Sequence, residues 1–255
     1  MEIFAQIDTW VALLTLTFLE IVLGIDNIIF ISISTSKLPK EQQKRATNIG
    51  LILAMVFRVI LLLGVSYLIA MKDSILSIDI SWLSTEITGQ SIILILGGIF
   101  LLYKSTSEIH HKVEGSGQDS TAKKIGSTLT KVIIQIVLID IVFSFDSVLT
   151  AVGMTNGTEG ALTIMIIAVV ISMLIMMLFA NPIGQFVNKH PTIQMLALSF
   201  LILIGFMLIT EGAHLADTVI FNQHIGAIPK GYLYFAIAFS LGVEALNMRI
   251  RKNKK

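Results

Sequence analysis

The chain has 255 residues, of which 55% are hydrophobic and only 14% charged, with a mean hydropathy of +0.85. A soluble domain carries nearly twice that share of charge, so the composition points to a polytopic α-helical membrane protein with little mass outside the bilayer. The net charge of +1 carries no nucleic-acid signature, and the absence of cysteine excludes disulfide scaffolds, thiolate metal sites and thiol catalysis.

Seven apolar segments follow in order, at roughly 9–35, 46–71, 89–105, 131–153, 161–180, 192–212 and 231–248. Breakers separate them: Lys37-Leu38-Pro39-Lys40, Asp73 to Glu86, Glu114-Gly115-Ser116-Gly117, Asn156-Gly157-Thr158, Asn181-Pro182 and Ile228-Pro229. The first run holds Glu20 and Asp26 and has no basic leader, so it is expected to be a span rather than a signal peptide. The polar stretch 106–130 is expected to be a cytoplasmic linker between two halves. Lysine and arginine fall in alternate loops: Lys37, Lys40, Lys44 and Arg45 after the first span, five lysines between 104 and 131, and the tail from Arg249 to Lys255. That alternation predicts a multi-pass protein of the cytoplasmic membrane with its N-terminus outside and its C-terminus in the cytoplasm.

The first span contains Glu20-Ile21-Val22-Leu23-Gly24-Ile25-Asp26-Asn27, and the fourth contains Asp140-Ile141-Val142-Phe143-Ser144-Phe145-Asp146-Ser147. Glu20 matches Asp140, Asp26 matches Asp146 and Asn27 matches Ser147, each 120 residues on. Three spans per unit is an odd number, so the second unit enters from the opposite side. The expected fold is therefore an all-α membrane protein of seven transmembrane helices in a single domain spanning 1–255. Two inverted three-helix repeats, about 9–105 and 131–212, precede a seventh helix at about 231–248. Gly97-Gly98-Ile99-Phe100 with Lys104 also resembles Ile204-Gly205-Phe206-Met207 with Glu211, whereas spans two and five do not align by sequence.

On a helix Thr17, Glu20, Gly24 and Asn27 form one stripe, and Val137, Asp140, Ser144 and Ser147 form its counterpart. Asp26 and Asp146 lie about 120° round from the upstream acids. Either neighbouring helices surround these spans, or the helices open near Gly24 and Ser144. Charge at this depth is expensive. Arg58 is the one base clearly in mid-membrane, while Lys104 sits near a span end and can snorkel. Four carboxylates against one arginine leave negative charge for cations or protons to neutralise, with Arg58 as counter-ion or gate. The donors are carboxylate, amide and hydroxyl oxygens, which suit manganese, magnesium or calcium better than zinc or copper.

Plainer readings cover the rest. Met173, Met176 and Met177 are expected to pack, and the spacings of His110, His111, His190, His214 and His224 match no zinc motif. Lys104, Glu211 and Glu244 are candidates for lining an ion path, with a wet interfacial position the simpler account.

These residues resemble the TerC family of integral membrane proteins. The likeness runs from Leu19-Glu20 to Phe30, through Gly97-Gly98-Ile99-Phe100-Leu101-Leu102-Tyr103-Lys104 with Glu108, and from Asp140 to Ala151. It continues from Gly205 to Leu208 with Glu211 and His214, and from Ile228-Pro229-Lys230-Gly231-Tyr232 to Glu244-Ala245-Leu246-Asn247. The resemblance implies export of manganese across the cytoplasmic membrane. It implies an ion site of Glu20, Asp26, Asp140 and Asp146, with Asn27 and Ser147 as neighbours. Some members are linked to supplying manganese to enzymes outside that membrane. The expectation is thus a non-enzymatic secondary transporter with no tightly bound cofactor, whose partners are a divalent ion, protons, the bilayer, and secretion machinery or further copies of itself. The competing readings are a proton-coupled exporter of a cationic organic solute, an intramembrane aspartyl protease, and a scaffold that hands metal on without transporting it. The protease reading is weakened because Leu23-Gly24-Ile25-Asp26 lacks the second glycine of a Gly-x-Gly-Asp element.

Overall fold

The structure, a computed structural model, describes residues 7–114, 128–155 and 160–253. The Asn156-Gly157-Thr158 turn, the middle of the expected linker (115–127) and the side chain of Asp26 lie outside the described residues.

Eight helices run in order: α1 (Ile7–Thr35), α2 (Lys40–Leu63), α3 (Val65–Ala70), α4 (Gly89–Glu114), α5 (Leu129–Thr155), α6 (Ala161–Lys189), α7 (Pro191–Leu215) and α8 (Lys230–Asn253). All but α3 are long and apolar enough to cross a membrane, 7 in total. The chain is therefore an all-α membrane protein. Their outer faces carry exposed Leu14, Phe18, Phe57, Ile60, Leu178, Phe179, Phe206 and Phe235. In water so much bare apolar surface would aggregate; in a bilayer it is the ordinary lipid-facing coat.

The fold divides into two compact units, one of α1, α2, α3, α5 and α6, the other of α4, α7, α8 and a small sheet. In the first unit, cross-helix contacts fix the directions. Asn27 meets Asp140 and Ser34 meets Gln135, so α1 and α5 run antiparallel. Ser32 Oγ donates to the Gly184 carbonyl and Gly24 lies under Met176, so α6 runs parallel to α1. Gly50 packs on Ile136 and Arg58 reaches Ser144, so α2 runs parallel to α5.

The second unit is built on α4 and α7. A methyl group added to Gly98 would lie 2.5 Å from the Gly205 carbonyl oxygen, and one added to Gly205 would lie 2.9 Å from that of Gly98. Gly212 likewise faces the Ser91 carbonyl at 2.9 Å. Small residues let two backbones touch, the usual way helices associate where lipid removes any gain from burying apolar surface.

Four features differ from the sequence expectation. The second span is interrupted at Gly64, where α2 hands over to α3. α4 continues past 105 to Glu114, stiffened by i,i+4 pairs of Lys104 with Glu108 at 2.9 Å and His110 with Glu114 at 3.1 Å. α6 passes straight through Asn181-Pro182 to Lys189. Pro182 lacks the N–H that would bond the carbonyl four residues before it, yet the helix continues; two residues on, Ser32 Oγ donates to the Gly184 carbonyl at 3.0 Å. Finally, the stretch read as breakers from Asp73 to Glu86 holds strands. β1 (Ser74–Ile80), β2 (Leu83–Thr88), β3 (Val219–Ile220) and β4 (Gln223–His224) form an antiparallel sheet in the order β1-β2-β3-β4. Phe221 and Asn222, with φ of 49° and 62°, make the tight β3–β4 turn, and the Phe221 ring lies against Trp82.

Candidate functional site

The two four-residue stripes both face inward. Thr17, Glu20 and Asn27 on α1 are buried, and so are Val137, Asp140, Ser144 and Ser147 on α5. Because the two helices are antiparallel, the motifs cross: Asn27 stands level with Asp140, and helical rise sets Glu20 about 10 Å further along the seam, near the level of Ser147.

Arg58 of α2, 2% exposed, ties the motifs together. One guanidinium nitrogen bonds Glu20 Oε2, the other donates to Asp140 Oδ1 at 3.0 Å, and Nε donates to Ser144 Oγ at 2.8 Å. Ser144 Oγ in turn donates a hydrogen bond to Asp140 Oδ2 at 3.0 Å, and Asn27 Nδ2 donates to Asp140 Oδ1 at 3.1 Å. Asp140 is thus the most heavily supported acid, with three side-chain donors. Two carboxylates on a single guanidinium leave the cluster one negative charge in excess. A buried group of this kind stands only when its members are paired and hydrogen-bonded.

Two oxygens on the α1 stripe are buried without a hydrogen-bond partner: Asn27 Oδ1 and Thr17 Oγ1. A small cavity lies beside Glu20, lined by Leu16, Leu62, Val148, Met165 and Val169, with room of about 10 Å³. That is close to the least space that holds a single water.

The remaining expected residues are placed differently. Asp146 is half-buried on another side of α5, its backbone carbonyl accepting from Thr150 Oγ1 at 2.9 Å. Ser147 Oγ donates to the Ser144 carbonyl at 3.2 Å rather than to an acid. Asp26 lies on α1, with its side chain outside the described residues. Among the described residues no three His, Asp or Glu side chains cluster closely enough to hold a metal ion. Lys104, Glu211 and Glu244 belong to the other unit. There Lys104 pairs with the buried Glu108, Glu211 is half-buried, and Glu244 accepts from Thr192 Oγ1 at 2.6 Å.

Ser144 is the member the sequence reading left out of the site. In the sequence it is the stripe position one turn beyond Asp140, where α5 is a candidate to open. α1 and α5 are instead continuous helices through Gly24 and Ser144. The Ser144 hydroxyl is spent between Arg58 and Asp140, and Gly24 is covered by the Met176 thioether.

Comparison with known proteins adds the following. The sequence profile described as the integral membrane protein TerC family matches residues 5–255. The chain is 46% identical over 247 residues to the UPF0053 inner membrane protein YgdQ of Escherichia coli (strain K12), covering 96% of this chain and 95% of the relative. It is 42% identical over 253 residues to the UPF0053 inner membrane protein YoaE of the same strain, covering 99% of this chain but 45% of the relative. It is 41% identical over 255 residues to the UPF0053 protein YegH of Shigella flexneri, again 45% of that longer protein. No solved structure matches. Inner-membrane relatives and seven spanning helices together make this a multi-pass protein of the cell membrane.

Proposed function

Starting from the fact that this chain belongs to the TerC family of integral membrane proteins, we propose that it is a secondary transporter that exports divalent cations, manganese foremost, through the α1–α5 seam. The observation that carries the proposal is the buried Arg58 cluster: Glu20 and Asp140 converge on one guanidinium that a travelling cation can replace. The oxygens left over, Asn27 Oδ1 above all, are hard donors of the kind that manganese, magnesium or calcium take. Arg58 then acts as the resident counter-ion, holding the acids when no cargo is present. Asp26 and Asp146 complete the acid set, and protons on the same carboxylates supply the exchange.

An inverted repeat underlies the reading. Gly98 and Gly205, equivalent by sequence, contact each other reciprocally, as a local two-fold axis requires. Gly24 and Ser144 stand 120 residues apart, and the residues that meet them, Met176 on α6 and Arg58 on α2, stand 118 apart. The near-equal spacing supports pairing the second span with the fifth, two residues out of register with the first and fourth. It leaves the first half with a cation where the second has a thioether. The lysine and arginine bias supports an outside N-terminus and a cytoplasmic C-terminus.

The other readings fit less well. A cavity that barely admits water favours an ion over an organic cation. An aspartyl protease needs two acids sharing a proton, whereas Asp140 already carries Arg58. Cells overproducing the protein are expected to accumulate less manganese, and Asp26→Asn or Asp146→Asn to abolish that. Unchanged cellular manganese in both variants contradicts the proposal. Manganese-dependent quenching in proteoliposomes, insensitive to added lysine, separates ion from solute transport and a transporter from a scaffold.

A further inference from the structure

A second, larger cavity of about 250 Å³ opens among the ends of α1, α2 and α6. Its wall includes Lys40 and Lys44 from α2 and Asn181, Gln185 and Asn188 from α6, with no acidic residue. Lys40, Lys44 and Thr47 recur at helical spacing, so the first two turns of α2 turn one face to the opening. Among the described residues neither lysine has an ion-pair partner, and the Asn181 and Gln185 amides have no hydrogen-bond partner. The helix also begins here, after Pro39, which supplies no side-chain cap, so first-turn amides and the positive end of the α2 dipole lie close by.

Two ammonium groups, unengaged amides and no carboxylate repel a cation and suit an anion with several oxygens. The geometry points to a binding site for a phosphate group. Thr35 ends α1, Lys40 starts α2 and Asn188 is the penultimate residue of α6, so the opening lies at the level where spans meet the headgroups. A basic pocket between helices at that level suits the phosphodiester of an anionic lipid. Soluble phosphate shares the chemistry and is the other source. The site stands whether or not the transport reading holds, because it uses none of the Arg58 cluster.

The test is native mass spectrometry on the purified full chain in detergent, titrated with phosphatidylglycerol, with phosphatidylcholine, and with inorganic phosphate as competitor. Three proteins are compared: wild type, Lys40→Gln/Lys44→Gln, and the charge-matched control Lys72→Gln/Lys131→Gln. Wild type and control are expected to retain phosphatidylglycerol over phosphatidylcholine, and the Lys40/Lys44 variant to bind it about 10- to 30-fold more weakly. Displacement by inorganic phosphate in wild type and control, but not in the Lys40/Lys44 variant, keeps the site and assigns it to a soluble ligand. Equal retention by all three proteins, with no effect of phosphate, overturns it. All four lysines are solvent-exposed, and matching melting curves verify that the variants are folded.

Discussion

In the unit of α1, α2, α5 and α6 the helices meet around charge: an arginine, two carboxylates, a serine and an asparagine fill the centre. In the unit built on α4 and α7 they meet backbone to backbone, Gly98 against Gly205 and Gly212 against Ser91. Both interiors answer the same difficulty, since lipid is as apolar as leucine and burying side chains gains nothing. Close glycine packing gives a rigid joint with one geometry. A charged centre gives a joint whose groups can exchange partners, at the cost of keeping every member satisfied. On the proposed reading, the charged unit is the one that responds to an ion.

That contrast breaks most severely at Arg58. Arg58→Leu strands two buried carboxylates and is expected to lower stability by about 3–5 kcal/mol in denaturant melts of the purified protein. Added manganese is expected to restore more of that loss than it adds to wild type, because it takes the vacated place; equal metal effects on both proteins would falsify Arg58 as the stand-in for cargo. In the other unit Gly98→Ala forces the α4 and α7 backbones apart and costs roughly 1–3 kcal/mol, with no metal rescue. Asn27→Ala removes one donor from the Asp140 carboxylate and costs about 1.5 kcal/mol by the same assay. Smallest of all, Gly242→Ala on α8 meets no neighbour within 4 Å and is expected to stabilise by about 0.5–1 kcal/mol through helix propensity alone.

Much of the charged unit was legible in the sequence. A 3.6-residue period puts Glu20 with Asn27, and Asp140 with Ser144 and Ser147, on single faces; a lone mid-span arginine must find its acids. What the period could not say is which helix faces which. The pairing of Asn27 with Asp140, rather than Glu20 with Asp140 side by side, follows from the antiparallel packing of α1 and α5, a property of tertiary contact. Asp146 shows the same limit: the helical period gives its phase, but what surrounds that phase depends on neighbouring helices. The run through Pro182 was hidden because a local breaker says nothing about the contacts a span makes with distant helices, such as Ser32 of α1 on the Gly184 carbonyl. The strands were hidden by habit of scale, for Ser77-Ile78-Asp79-Ile80 alternates as a strand should but is short beside the spans.

The single guanidinium has a further consequence for a carrier of this design. On the proposed reading, a protein that supplies its own positive group to both acids needs no cargo to hold them together between cycles, and the one negative charge left over is where a proton can sit. The same side chain that fills the site at rest must then be dislodged for work to begin.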